Sequence, residues 1–192
     1  MKHWCVWTLM AAGSIAHAGT ACPADYGHRL VDWLAADQAI RSAAGGVIAD
    51  ERRLINAMET LGQRHARDFG ALLRVCGWPD QRVWGEEAAK AAWMLAQHAD
   101  DDVAFQETAL RALRRAADQG AAPRRQVAYL TDRILSNRQR PQRFGTQLQA
   151  VDGRMTPLPI DDPANVDQRR AAHDLQPLSE YLSEAQRRFD AR

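Results

Sequence analysis

The chain has 192 residues, 46% of them hydrophobic, and a formal net charge of +1. This length suffices for one domain with a hydrophobic core of its own. The near-neutral charge argues against a nucleic-acid binder, which needs a basic surface to displace counterions, and against a protein that docks on anionic membranes. We therefore expect no nucleic-acid partner.

The first eighteen residues have the pattern of an export signal. Lys2 gives a basic start, residues 4–12 form an apolar stretch, and Ala16-His17-Ala18 offers the small-x-small step at which signal peptidase cleaves. The apolar stretch is shorter than the roughly 20 residues that cross a bilayer. We expect a mature single domain of residues 19–192, with no net charge once Lys2 is removed. Its expected location is the periplasm or the exterior of the cell, without a stable membrane anchor.

Two cysteines, Cys22 and Cys76, remain after this cleavage. An even number of cysteines in an oxidising compartment predicts a disulfide between them. The alternative for Cys22 is a lipoprotein anchor. The residues before it, 19–21, lack the large aliphatic residue expected three positions upstream of such a cysteine.

Apolar residues recur at helical spacing through most of the mature chain. A first helix is predicted over residues 25–42, where Asp37 and Arg41 fall within the apolar stripe instead of opposite it. They are one turn apart, so they are predicted to form a buried ion pair, with a place in a binding site as the alternative. A second helix is predicted over residues 47–76, with His65 in its apolar seam.

Three more helices follow. A helix over residues 85–99 is apolar nearly all round, which predicts a place at the centre of a bundle. Asp100-Asp101-Asp102 precedes and caps a helix over residues 103–119, and Pro123 opens the next.

The period then changes to that of strands. Residues 142–151 and 154–160 flank Asp152-Gly153, a dipeptide suited to a two-residue hairpin turn. Two short helices are predicted in the tail, over residues 163–173 and 178–189. The expected fold is mainly α: a bundle of about five to seven helices with one β-hairpin near the C-terminal third.

Several short polar motifs stand out against this helical background. They are Asp37-Gln38-x-x-Arg41, Gly77-Trp78-Pro79, Gln97-His98-Ala99-Asp100, Tyr129-Leu130-Thr131-Asp132-Arg133 and Gln142-Arg143-Phe144-Gly145-Thr146-Gln147. Together they resemble a family of mostly bacterial, mostly helical proteins of unknown function that carry GWP, QHAD, YLxDR and YGTQ segments in this order. Phe144 stands where a tyrosine is usual. The likeness covers about residues 37–181 and implies a fold and a polar site, not a reaction.

The candidate catalytic residues are His98 and Asp132, because a carboxylate that orients an imidazole is a common way to activate water or a hydroxyl. The candidate anion clamp is Arg133, or Arg169 and Arg170 in the tail, and Thr146 and Gln147 are candidate donors to a substrate carbonyl. The competing interpretation is structural: a helix-end histidine and a surface pair of Asp132 with Arg133.

No metal or cofactor is expected. No second histidine stands at a recognised ligand spacing from His98, and Cys22 and Cys76 are better used together. The favoured function is an exported binding or interaction module for a protein or small polar ligand of the cell envelope, with an inhibitor-like or immunity-like role as one form. The alternative is a small hydrolase or transferase that uses His98 and Asp132 with Arg133 and Gln147.

Overall fold

The computed structural model describes residues 21–44 and 51–191. In these ranges it contains eight α-helices, a short 3-10 turn and one two-stranded antiparallel hairpin, which confirms the predicted fold class. The expected signal segment, residues 1–18, lies outside the described residues. The elements in chain order are α1 (Tyr26–Ala44), α2 (Glu51–Cys76), α3 (Gln81–Trp84), α4 (Glu86–His98), α5 (Val103–Asp118), α6 (Arg124–Asn137), β1 (Leu148–Val151), β2 (Arg154–Pro157), the 3-10 turn (Pro163–Asn165), α7 (Val166–Ala171) and α8 (Leu178–Asp190).

The alanine-rich helix α4 lies at the centre of the bundle, as its composition predicts. Ala91, Ala92 and Ala96 are fully buried, and α4 packs against α1, α2, α5 and α6. Small side chains let neighbouring helix backbones approach closely. The larger members of the core come from the surrounding helices, for example Leu30 of α1 and Phe69 of α2. The C-terminal end of α4 is therefore held rigidly by the surrounding helices.

The helix ends follow their local chemistry. The carboxylate of Asp102 accepts a hydrogen bond of 2.8 Å from the backbone N–H of Phe105 and caps α5, as expected of that position. Helix α2 ends at Cys76, before Gly77 with its positive φ of 72°. The short helix α3 is an addition to the prediction: Asp80 caps it through the N–H of Arg82.

A disulfide joins the segment before α1 to the end of α2. The Sγ atoms of Cys22 and Cys76 lie 2.11 Å apart, and the bridge closes a sequence separation of 54 residues. The expected pairing of these two cysteines is therefore present in the structure.

The hairpin turns where the sequence predicts, at Asp152-Gly153, and both residues have positive φ. Its strands pair in the register Leu148 with Pro157 and Val151 with Arg154. The strands are shorter than expected because the residues that flank them form other hydrogen bonds. The side-chain amide of Gln142 donates to the carbonyls of Gln147 and Leu158, so the segment from residue 142 to 147 is a fixed loop and not a strand.

The C-terminal helices pack on this hairpin and loop. The guanidinium of Arg170 in α7 is almost fully buried and donates to the carbonyls of Phe144 and Gln176 at 2.6 and 2.7 Å. The hydroxyl of Tyr181 in α8 donates to the carbonyl of Thr146 at 3.0 Å. The predicted helix over residues 163–173 is divided into the 3-10 turn and α7. No helix among the described residues is both long and apolar enough to span a bilayer.

Candidate functional site

Helices α1 and α4 bring together three charged or polar side chains that lie far apart in sequence. Nδ1 of His98, the last residue of α4, lies 2.5 Å from Oδ2 of Asp37 in the middle of α1. Nε of Arg41, one turn further along α1, lies 2.9 Å from Oδ1 of the same carboxylate. The side chain of Asp37 is only 9% exposed. Asp37 and Arg41 thus form the predicted ion pair, with a buried carboxylate and a partly exposed guanidinium, and His98 completes it as a triad.

The electrostatics of the triad fix the tautomer of the histidine. Burial acts to raise the pKa of Asp37, but the hydrogen bonds and charges of His98 and Arg41 outweigh it and lower that pKa below its ordinary value. An ionised carboxylate only accepts hydrogen bonds, so Nδ1 of His98 carries a proton and donates it to Asp37. Nε2 is then the acceptor when the ring is neutral. It has no hydrogen-bond partner among the described residues.

Two members of this triad, Arg41 and His98, form part of the wall of a cavity of about 200 Å³ between α1, α2 and the turn that joins α4 to α5. The His98 side chain is 19% exposed and lines the cavity together with Arg41. The opposite wall, from α2, combines apolar and polar side chains. The residues that line this cavity, called here the His98 pocket, are Arg41, Ile55, Met58, Glu59, Gly62, Gln63, Ala66, His98, Ala99, Asp100, Asp101 and Asp102.

A second polar network begins at Asp100, two residues after His98. Its carboxylate accepts hydrogen bonds from Nε of Arg133 at 2.7 Å, from the second guanidinium nitrogen of Arg133, and from Nδ2 of Asn137 at 2.9 Å. Burial acts to raise the pKa of Asp100, but these donors reverse the effect and lower it. Nδ2 of Asn137 also donates to Oε1 of Gln106, whose own amide donates to the carbonyl of Ala96. The turn that follows His98 is therefore held in place by residues of α5 and α6.

The network continues from Arg133 into the loop before the hairpin. Nη1 of Arg133 donates to Oε1 of Gln147 at 3.3 Å, and the Gln147 amide donates to Oγ1 of Thr146 at 3.1 Å. Oγ1 of Thr146 donates in turn to Asp132 at 3.0 Å. Four residues singled out in the sequence, Asp132, Arg133, Thr146 and Gln147, thus lie in one hydrogen-bonded chain.

Asp132 is the anchor of that loop. It is fully buried, and its two oxygens accept hydrogen bonds from the backbone N–H groups of Arg143, Phe144 and Thr146 at 2.8 to 3.2 Å. Burial raises the pKa of Asp132, and the hydrogen bonds from Thr146, Arg143 and Phe144 oppose that rise. Both oxygens face the chain's own backbone, so the structure gives Asp132 a role in holding the loop.

The expected pairing of His98 with Asp132 is therefore wrong. The partner of His98 is Asp37, while Asp132 is saturated by the loop. Arg133, expected to clamp an external anion, is held by Asp100. Arg169 and Arg170, the alternative clamps, donate instead to backbone carbonyls of the loop before the hairpin. The polar side-chain atoms of Thr146 and Gln147 also form hydrogen bonds within this network. Among the predicted catalytic and binding residues, only His98 lines the pocket.

The sequence did single out Asp100, as a member of the Gln97–Asp100 motif and of the Asp100–Asp102 capping run, but did not predict its bonds to Arg133 and Asn137. Gln106 and Asn137 were missed. Both sit on helix faces that look ordinary in sequence, and only the packing of α5 against α6 brings them to Asp100. Residues 21–44 and 51–191 contain no group of three or more His, Cys, Asp or Glu side chains placed to hold a metal ion.

Comparison with known proteins identifies a family but no activity. The family model described as "Family of unknown function (DUF6624)" matches residues 24–190, so the chain belongs to that family. No curated protein and no solved structure matches the chain.

Proposed function

We propose that this DUF6624 family member is an exported binding or interaction module, and that its binding site is the His98 pocket. One observation carries the proposal. The imidazole of His98 is fixed through Nδ1 by Asp37, while Nε2 has no partner among the described residues and the ring lines a cavity of about 200 Å³. A preorganised polar group at the edge of a small cavity is what a specific binding site requires.

The size of the pocket limits what it accepts. Pockets for drug-sized ligands occupy about 300–1,000 Å³, so this one suits a single small group. That group is a small polar ligand or one side chain inserted by a partner protein, as in an inhibitor-like or immunity-like complex. Since neutral Nε2 accepts a hydrogen bond and the rim carries Glu59 and Asp101, we propose that the group donates hydrogen bonds.

Export rests on the sequence and on the disulfide. Residues 1–18 have the basic, apolar and small-residue pattern of a signal peptide. The bridge between Cys22 and Cys76 suits an oxidising compartment, where such bonds persist. Intact mass of the protein recovered from the cell envelope tests this: a mature chain that begins at Gly19 supports export, and a cytosolic chain that retains Met1 contradicts it.

The binding proposal is tested by capture from envelope extract with three immobilised proteins. The wild type is expected to retain a partner that His98→Ala loses, while circular dichroism shows that His98→Ala is still folded at the temperature of the capture. His28→Ala is the matched control because His28 is exposed and lies outside the pocket, so it should bind like the wild type. Equal capture by all three, or a lower melting temperature as the only effect of His98→Ala, contradicts the proposal.

A second candidate function, that of a small hydrolase or transferase, is favoured by the contact between His98 and Asp37. The distance of 2.5 Å from Nδ1 of His98 to Oδ2 of Asp37 is that of a carboxylate that orients a general base, with Asp37 in place of Asp132. Hydrolysis of a panel of p-nitrophenyl esters and phosphates separates the two functions. An enzyme loses turnover in both His98→Ala and Asp37→Asn, whereas wild-type rates equal to those of the variants rule this candidate out.

A further inference from the structure

A second, larger groove lies between α4 and α6. Its volume is about 500 Å³, within the range of small-molecule sites, and none of its lining residues also lines the His98 pocket. Six of those residues determine its chemistry, and they are Glu86, Lys90, Trp93, Arg125, Gln126 and Tyr129.

The charged side chains of the groove favour an anion. Lys90 on α4 and Arg125 on α6 are both exposed, and neither has an ion-pair partner in the part of the chain that the structure describes. Glu86 is the single acidic residue of the lining. Two cations without partners, one on each wall, offer an incoming carboxylate two charge-assisted hydrogen bonds.

The apolar part of the groove is aromatic. The rings of Trp93 and Tyr129 meet edge to face, with centroids 6.0 Å apart and planes at 88°. Tyr129 also makes an edge-to-face contact with Tyr181, with ring centroids 6.3 Å apart. Rings held in this way present a rigid apolar surface, which suits a flat or ring-shaped ligand body.

Two side chains that line the groove each contain a polar atom without a hydrogen-bond partner in the described part of the chain. The indole Nε1 of Trp93 and the amide Oε1 of Gln126 are closed to solvent, and neither makes a hydrogen bond within the described residues. Such unsatisfied buried groups are uncommon in folded proteins. The terminal torsion of the Gln126 side chain has a broad energy minimum. Its amide oxygen can therefore rotate toward a ligand that carries a hydrogen-bond donor. The ligand therefore needs a hydroxyl or amine as well as a negative charge.

We infer that this groove is a binding site for a small organic anion: a carboxylate carried on a ring-shaped body with a hydroxyl group. An acidic sugar and a hydroxylated aromatic acid share this chemistry. The inference is independent of the His98 pocket, since the two cavities have separate walls.

The test is a titration of the mature, oxidised protein followed by NMR of its tryptophan indole N–H groups, with the Trp93 signal assigned from Trp93→Phe. The probes are glucuronate and 4-hydroxybenzoate, each compared with a neutral counterpart, glucose and 4-hydroxybenzamide. We expect at least one anion to shift the Trp93 signal saturably, with an affinity at least tenfold higher than that of its neutral counterpart. The anion that binds identifies the ligand as a sugar acid or an aromatic acid.

Substitution of Lys90 and Arg125 then tests whether these two cations bind the anion. Lys90→Gln combined with Arg125→Gln is expected to weaken the binding of that anion at least tenfold. Arg124→Gln is the matched control, because Arg124 is an exposed neighbour that does not line the groove. The inference is overturned if neither anion gives a saturable shift below about 20 mM, the range expected of a ligand of about ten heavy atoms. It is also overturned if the neutral compounds bind equally well or if the control weakens binding as much as the double variant.

Discussion

At the scale of single residues, His98 and Asp132 differ in how much of their bonding capacity the fold uses. Asp132 is enclosed, and both of its oxygens accept bonds from the loop between residues 143 and 146. His98 uses Nδ1 for Asp37 and has no partner for Nε2 among the described residues. A side chain with one fixed and one open nitrogen is suited to bind, whereas a saturated carboxylate is suited to hold the fold together.

Asp132→Asn tests the structural role of that carboxylate. The amide replaces one acceptor oxygen with a donor that faces backbone N–H groups, so at least one buried donor loses its partner. We expect the free energy of unfolding to fall by about 3 kcal/mol, measured by urea denaturation. Asp118→Asn, at an exposed position at the end of α5, should change it by less than about 0.5 kcal/mol. Equal stability of the two variants would contradict the anchor role.

His65 predicts a dependence of stability on pH. Its ring is buried in α2 and stacks on Trp33, with centroids 5.6 Å apart. Burial lowers the pKa of His65 below its ordinary value of 6.5, and the charge of Asp37, which acts in the opposite direction, does not reverse this. The unfolded chain therefore binds this proton more readily than the folded one. The stability that the neutral His65 ring contributes is fully present above pH 6.5. It is lost as the pH falls toward the pKa of His65 in the folded protein.

His65→Phe removes this titration and retains a ring against Trp33. The free energy of unfolding should fall more steeply in the wild type than in the variant when the pH is lowered from about 7.5 to about 5. Guanidinium denaturation at both pH values measures it. A His28→Phe variant should keep the wild-type slope, and a His65→Phe slope equal to it would show that His65 does not titrate with folding.

Among the helices and strands, the features that are determined by residues close in sequence could be predicted. The spacing of apolar residues locates α1 and α5 to within two residues, and the Asp152-Gly153 dipeptide locates the hairpin turn. The strand lengths were not predictable, since the Gln142 side chain takes the carbonyls of Gln147 and Leu158. The site depended on long-range packing: Asp37 and His98 are separated by 61 residues, and no local pattern indicates their contact.

Gly145 shows how tightly the loop before the hairpin packs against the C-terminal helices. Its φ is +69°, and an added Cβ would lie 2.9 Å from Leu178 and 3.0 Å from Ile160. Gly145→Ala combines backbone strain with a steric clash, so we expect a loss of about 2 to 4 kcal/mol in thermal or urea unfolding. Gly153→Ala has a similar φ of +76° but nothing within 4 Å, so it should cost only about 1 kcal/mol. Equal losses would mean that α8 does not press on the loop.

The disulfide acts on α1 and α2 together. In the chain-entropy account, a loop of this length stabilises the folded state by about 4 kcal/mol. We expect Cys22→Ser combined with Cys76→Ser to lower the free energy of unfolding by that amount, and a reducing agent to lower the wild type alike while leaving the variant unchanged. Thiol labelling of the denatured wild type should find no reactive thiol in the mature chain. Two labelled thiols would contradict the bridge.

At the scale of the whole molecule, two polar regions serve different purposes. The chain of hydrogen bonds from Asp100 through Arg133 to Asp132 joins the helical bundle to the hairpin and positions the turn after α4. The triad of Asp37, Arg41 and His98 stands at the edge of a cavity. The hydrogen-bonded network thus supports the turn beside the proposed binding site, which is the arrangement that a precise binding site needs.

Histidine footprinting of the captured complex tests the proposed site most directly. Diethyl pyrocarbonate modifies accessible imidazole nitrogens, and mass spectrometry reads the modification at each histidine. In the free protein we expect modification of both His98 and the exposed His28. In the complex, His98 should be protected and His28 should react as before. If His98 reacts equally in the free and bound protein, the partner lies elsewhere and the His98 pocket is not the binding site.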